Sequence, residues 1–196
     1  AKEQRFFYPF EVQILDKALE AVRTREYWSP HPEHPKAYPD AEAGRAAFEA
    51  LLGRRFELDQ PGTDEWTGDE HSPYGIDLGV RYPHPDPDVR LPAMRAAVPV
   101  WRDAGPEARA MVCLEILARI SARTHEFAHA VMHTSGQAFT MAFQAGGPHA
   151  QDRGLEAVAY AYVEQVRTPD TAEWIKPQGK RDPVVLRKSF PAVPRG

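Results

Sequence analysis

His125-Glu126-Phe127-Ala128-His129 spells H-E-x-x-H, and His133 repeats the imidazole one turn further on. Side chains at i and i+4 share a helix face, so His125 and His129 could reach one Zn²⁺. Between them, Glu126 would act as general base on a bound water whose pKa the metal lowers to about 7. His133, or Glu156 on the following helix, would supply the third protein ligand. This is the donor set of a zinc hydrolase.

A plainer reading stands beside it. At about 100° per residue, one continuous helix puts Cys113, Leu117, Ile120, Phe127 and Val131 on one stripe. The three histidines then fall on the opposite face with Glu115, Ala118, Ala122 and Glu126, where a solvated helix keeps its polar residues. Three fixed positions are a short motif in a chain with 8 His and 28 acidic residues. Arg123 sits just before the first His, where zincin helices avoid charge, and no strong edge strand precedes to hold a peptide.

Other chemistry-bearing residues are fewer. Cys113, the single cysteine, lies in an apolar stripe and reads as packing rather than as a nucleophile. One cysteine makes no disulfide framework, and a cytoplasmic home is the expectation. Gly146-Gly147 with His149, Asp152 and Arg153 reads as a helix–helix turn before it reads as a ligand site. His31 and His34 stand among prolines, and Gly179-Lys180-Arg181 is a basic tip without the glycine frame of a phosphate loop. Tyr160 and Tyr162 are expected to pack or hydrogen-bond.

The elements that must carry these residues follow from periodicity. Val12, Leu15, Leu19 and Val22 predict a helix over 9–26. A proline-rich arm follows, whose interleaved Trp, His and Tyr suggest a segment laid on a surface. Asp40 as N-cap and Gly53 as stop bracket a second helix. Ile76, Leu78 and Val80 alternate as a short strand over 76–82. A short helix over 88–105 leads to a long one over 105–136, started by Pro106 and stopped by Gly136. A further helix covers 149–167, and 182–193 alternates weakly as a strand. The chain has 196 residues, 19 of them proline, about twice the usual share. Its net charge of −4 offers no field for nucleic acid, and no apolar run suits a membrane span. The fold class is mainly α with a few short strands, α+β. Residues 1–87 form N-terminal helices and a proline-rich arm, and 88–196 a helical segment with the start of a further arm.

A resemblance enters with the longer motifs. "MRAAVPVWRDAGPEARAMVCLEILARISARTHEFAHAV", "HTSGQAF", "LEAVAYAYVEQ" and "PVVLRKSFPAVPRG" resemble, in this order, the opening of the aldehyde dehydrogenase superfamily. Ser135, Gln137 and Arg195 depart from its pattern. "HPEHPKAYP", "FELDQPGT", "SPYGIDLGVRYPHPDPD" and "KPQGKRDP" are similar to one branch, the PaaN-type phenylacetic acid degradation proteins. The resemblance implies the N-terminal portion of an α/β enzyme whose nucleophilic Cys, general-base Glu and NAD or NADP site all lie beyond "VPRG". It therefore implies no catalytic, cofactor-binding or metal residue in this chain. It implies that the H-E-x-x-H helix is scaffold, and that Gln151, Arg153, Gly154 and Ala157 lie near a substrate entrance. The expected partners are the remainder of the protein and further copies of it, a homo-oligomer, with neither nucleic acid nor membrane.

Overall fold

A computed structural model describes residues 9–190. Among these residues there are seven α-helices, α1 (Pro9–Thr24), α2 (Ala41–Glu49), α3 (Pro87–Asp103), α4 (Gly105–Ala122), α5 (Thr124–Ser135), α6 (Phe139–Gly146) and α7 (Pro148–Val166), and one 3-10 turn, Pro35–Ala37. Two separate antiparallel hairpins complete the described chain: β1 (Thr63–Thr67) with β2 (Tyr82–Pro85), and β3 (Thr171–Gln178) with β4 (Arg181–Ser189). The protein is mainly helical with short strands, as its sequence pattern predicts. Among the described residues no helix is long and apolar enough to cross a membrane.

Two hydrophobic clusters hold the elements. In the first, Leu15 and Ala18 of α1 meet Ala110 and Leu114 of α4 and Leu155 and Ala159 of α7, with Trp28 of the proline-rich arm laid against them. One alanine per helix lets the three backbones approach closely. In the second, Phe48 of α2 meets Leu78 and Val80, with Ala130 of α5 alongside. Both clusters join residues from either side of position 88.

Several expectations need correction. The helix predicted over 105–136 is two helices, broken at Arg123 (φ −112°, ψ 19°). There the Thr124 hydroxyl donates to the Ser121 carbonyl at 2.7 Å, a local bond that competes with the helix ladder. The short helix predicted over 88–105 runs for 17 residues despite Pro92 and Pro99 and buries no residue. The strand expected over 76–82 forms no ladder of its own. Leu78 and Val80 are buried as the alternation predicts, but Gly79 turns the backbone to φ 56° and only Tyr82 joins a strand. Asp40 precedes α2 in a left-handed conformation and gives no side-chain cap. Helix α6 and strand β3 have no counterpart in the predicted elements. The predicted C-terminal strand is β4, and its last residues, 191–193, lie outside the described residues, as does the Pro194-Arg195-Gly196 motif.

Candidate functional site

The break at Arg123 decides where the histidines point. It resets the helical phase, so the face extrapolated from α4 does not continue into α5. His125 is 4% exposed and Glu126 9%, and neither lies on a solvated face. This corrects the plainer sequence reading as much as the zinc one.

What packs on the imidazoles is aromatic. Phe48 stacks on His133 at 5.1 Å between ring centroids and 4° between planes, and on His129 at 6.0 Å and 21°. Phe139 covers His129 at 5.0 Å, Phe143 covers His125 at 5.5 Å, and Tyr74 meets His133 edge-on at 5.8 Å. Gly44 makes this possible. A Cβ there would stand 2.4 Å from His125 Cβ, so α2 rests against α5 backbone to backbone. His133 Nδ1 shares a 2.8 Å hydrogen bond with Ser72 Oγ, and His125 Nε2 reaches the Tyr38 carbonyl at 3.5 Å. Burial holds the pKa of both His129 and His133 below the ordinary 6.5. For His129, the neighbouring His133, Arg45 and His125 add to this and Glu49 opposes it.

Glu126 is not free to act as a base. Its two oxygens accept from Arg123 Nε at 2.7 Å and Arg123 Nη2 at 2.6 Å. Glu156, the alternative third ligand, lies on α7 and pairs with Arg153 at 2.7 Å. It faces a groove between α1 and α7 with Val22, Arg25 and Trp28. Among the described residues no three His, Cys, Asp or Glu side chains are grouped to hold a metal ion. The zinc reading of His125, His129, His133 or Glu156, with Glu126 as base, therefore finds no support in the geometry. Glu126 and Glu156 are each paired with an arginine.

The glycine pair Gly146-Gly147 joins two helices. A Cβ on Gly146 would meet Val131 Cγ2 at 2.7 Å, and one on Gly147 would meet Phe143 O at 2.5 Å and Thr124 Cγ2 at 2.7 Å. At this pair the space beside each glycine is filled by protein. Cys113 is unpaired and half-buried on α4.

The four residues of the expected substrate entrance occupy different surroundings. Gln151 is 1% exposed and donates to Thr124 Oγ1 at 3.2 Å. Gly154 is pressed on Leu117, whose Cδ2 a Cβ would meet at 2.8 Å. Arg153 and Ala157 are exposed on α7, and of the four Arg153 lines the α1–α7 groove. On the same groove Arg25 Nη1 donates to Tyr160 Oη at 3.0 Å, while Tyr162 packs on the first core.

A second groove, of about 260 Å³, lies between α1, α4 and the proline-rich arm. Ile14, Leu114, Leu117 and Ala118 make its apolar wall, and Glu11, His31 and Tyr38 its polar edge. Burial raises the Tyr38 pKa, with Asp152 adding, and burial lowers that of His31 against Asp152. No sequence signal marked this groove; the residues come from three distant segments.

No protein-family model matches the chain, and no curated protein does. A solved structure, the NAD-dependent aldehyde dehydrogenase from Burkholderia multivorans, matches it with 52% sequence identity and a TM-score of 0.87, over 92% of this chain and 33% of that one. The chain thus spans about one third of that neighbour's length. Over this third, sequence and fold together support the resemblance to the aldehyde dehydrogenase superfamily read from the motifs.

Proposed function

We propose that the chain is the N-terminal, catalytically incomplete region of an NAD(P)-dependent aldehyde dehydrogenase acting in aromatic, phenylacetate-type degradation. One observation carries the reading: 52% identity over 92% of this chain against 33% of an NAD-dependent aldehyde dehydrogenase. The order of the sequence motifs supports the N-terminal position and the branch. In that family a thiolate attacks the aldehyde and hydride leaves to the nicotinamide. The cysteine here is half-buried in α4 beside core residue Leu114, which suits a scaffold thiol.

What these residues contribute is support and docking surface. α4 and α7 pack together in the first cluster, α3 presents Val89, Leu91, Met94 and Val100 to solvent, and the β3–β4 hairpin presents Trp174, Ile175 and Val185. A lone two-stranded hairpin is marginal in water, and contiguous exposed apolar surface marks an interface. In this reading α3 faces the remainder of the protein and the hairpin pairs subunits of a homo-oligomer. Arg153 and Ala157, the exposed pair on α7, stand at the substrate entrance, with Gln151 and Gly154 fixing that helix from behind. A cytoplasmic location accompanies this reading.

The test compares two lengths. The isolated 196-residue chain, given NAD⁺ or NADP⁺ and an aromatic aldehyde, should form no reduced cofactor. The gene product extended to the neighbour's length should do so, and should keep its rate with Cys113→Ser. Turnover by the short chain, or loss of turnover with Cys113→Ser, overturns the proposal.

A further inference from the structure

The groove between α1, α4 and the proline-rich arm is framed by fixed elements. Pro30 and Pro39 stiffen the arm where it borders the groove. Ser29 Oγ donates to Asp152 Oδ1 at 2.7 Å, and His31 N donates to Ser29 Oγ at 2.9 Å, which pins the arm to α7. Further on, Tyr38 N donates to the Pro35 carbonyl at 3.1 Å, and the Tyr38 ring meets His125 and Phe143 edge-on. Leu114, Leu117 and Ala118 of α4 make the apolar wall. A site held in this way needs little ordering on binding, which favours affinity.

The polar groups on this frame select the charge of an occupant. Glu11 is 9% exposed, and the lining holds no Lys or Arg to pair with it. Burial lowers the His31 pKa below the ordinary 6.5 against the pull of Asp152, so that imidazole is neutral near pH 7. The Tyr38 hydroxyl is buried with no hydrogen-bond partner among the described residues. A slot of about 260 Å³ suits a ligand of a single ring. A buried carboxylate and an unsatisfied hydroxyl oxygen beside that slot call for a cationic donor. A carboxylate on the ligand would face Glu11 and be repelled, and a neutral ring would leave Glu11 unanswered. We propose that this groove binds small aromatic amines, the ring against Leu114, Leu117 and Ala118 and the ammonium donating to the Glu11 carboxylate and the Tyr38 hydroxyl oxygen. The site goes beyond the family reading and stands or falls apart from it.

Isothermal titration calorimetry of the full chain with benzylamine, benzyl alcohol and benzoate presents one shape as a cation, a neutral molecule and an anion. Benzylamine should bind with a Kd on the order of 0.1–1 mM, as befits so few atoms. It should bind about tenfold tighter than benzyl alcohol, since hydrogen bonds between charged groups are roughly twice as strong as neutral ones. Benzoate should be the weakest of the three. Glu11→Gln should bring benzylamine down to the level of benzyl alcohol and leave benzyl alcohol unchanged. Tyr38→Phe should weaken benzylamine about threefold or more without lowering Tm, because the hydroxyl gives up no bond within the protein. Ala118→Leu fills the slot from its helical wall and should abolish binding of all three, with circular dichroism showing that the helices remain. Absence of saturable benzylamine binding by the wild type overturns the proposal. So does benzoate binding as tightly as benzylamine, or a preference for the amine that survives Glu11→Gln. Undiminished benzylamine binding by Ala118→Leu places the amine elsewhere and overturns it as well.

Discussion

Gly44→Ala is the sharpest probe of how α2 sits on the histidine helix. A Cβ at this position would lie 2.4 Å from His125 Cβ, 3.0 Å from Glu126 N and 3.1 Å from the His125 carbonyl carbon. Two of those atoms are backbone, which no rotamer change moves. Carbon contacts settle at about 3.5–4.0 Å, so α2 must withdraw from α5 by about 1 Å. Overpacking on this scale costs about 1–3 kcal/mol, and replacing a helical glycine by alanine returns about 0.8–1.0 kcal/mol. The net loss reaches about 2 kcal/mol, or about 4–8 °C in Tm for a chain of this size. Gly154→Ala is the internal control. Its Cβ would meet Leu117 Cδ2 at 2.8 Å and Cδ1 at 3.6 Å, the far end of one flexible side chain. A rotamer shift there costs about 0.5–1.5 kcal/mol, close to the propensity gain, so Tm should stay within about 2 °C of wild type. Thermal unfolding followed by circular dichroism compares the two. If Gly44→Ala matches or exceeds Gly154→Ala in Tm, α2 is not docked on α5 at backbone distance, and the burial of His125 falls with it.

Three further outcomes follow from the same geometry. His129 and His133 have folded-state pKa values below 6.5, so below that pH the unfolded chain binds more protons than the folded one. Their contribution to stability is complete above about pH 6.5 and is lost as pH falls towards their folded values. Tm should therefore drop in acid, and His129→Gln/His133→Gln should flatten the drop; an unchanged slope counts against the assignment. Arg109, 5% exposed, donates from Nη1 to the Trp101 and Arg102 carbonyls, both at 3.0 Å, and from Nη2 to Gln165 Oε1, tying the end of α3 to α4 and α7. Arg109→Ala should cost about 1.5–3 kcal/mol and speed amide exchange selectively in α3; uniform exchange would show that α3 is held by something else. Adding zinc should leave the Tm of the chain unchanged, in wild type and in His129→Ala alike, because among the described residues no three donors are grouped to hold it; a rise lost with His129→Ala would restore the metal reading.

The parts of the fold that were legible are those whose signals are local. Leu15 and Leu19 at helical spacing predicted α1, Pro106 the start of α4 and Gly136 the end of α5, whose φ of 77° only a glycine adopts readily. The break at Arg123 was not legible, because "ISARTHEF" has no stop residue and the Thr124 hydroxyl decides it. Helix α6 spans eight residues, too few for a period to show. At 76–82 the alternation correctly marks Leu78 and Val80 as buried, but the Leu78 carbonyl accepts from Gly53 N at 2.8 Å, outside any strand. For the candidate site, the residue types were legible and their surroundings were not. Ser72 reaches His133 across 61 positions and Tyr38 reaches His125 across 87, and no short-range pattern encodes either pairing.

The H-E-x-x-H spacing therefore owes its meaning to what stands opposite it. Imidazoles at i, i+4 and i+8 form one stripe, and a stripe can converge on an ion or lie along a neighbouring helix. Here the neighbour is α2, brought in by Gly44, and its Phe48 ring spans two of the three imidazoles. The phenyl ring shields the imidazoles from water, and that desolvation lowers both pKa values. Glu126, in the first turn of α5, faces the positive end of that helix and the Arg123 guanidinium. Its position between the histidines thus follows from starting a helix at Thr124, with no demand from a bound water. The same five letters would regain chemical force only if a ligand stood where Phe48 does and Glu126 were released from Arg123, so the surroundings of the motif, on α2 and at the start of α5, decide its meaning.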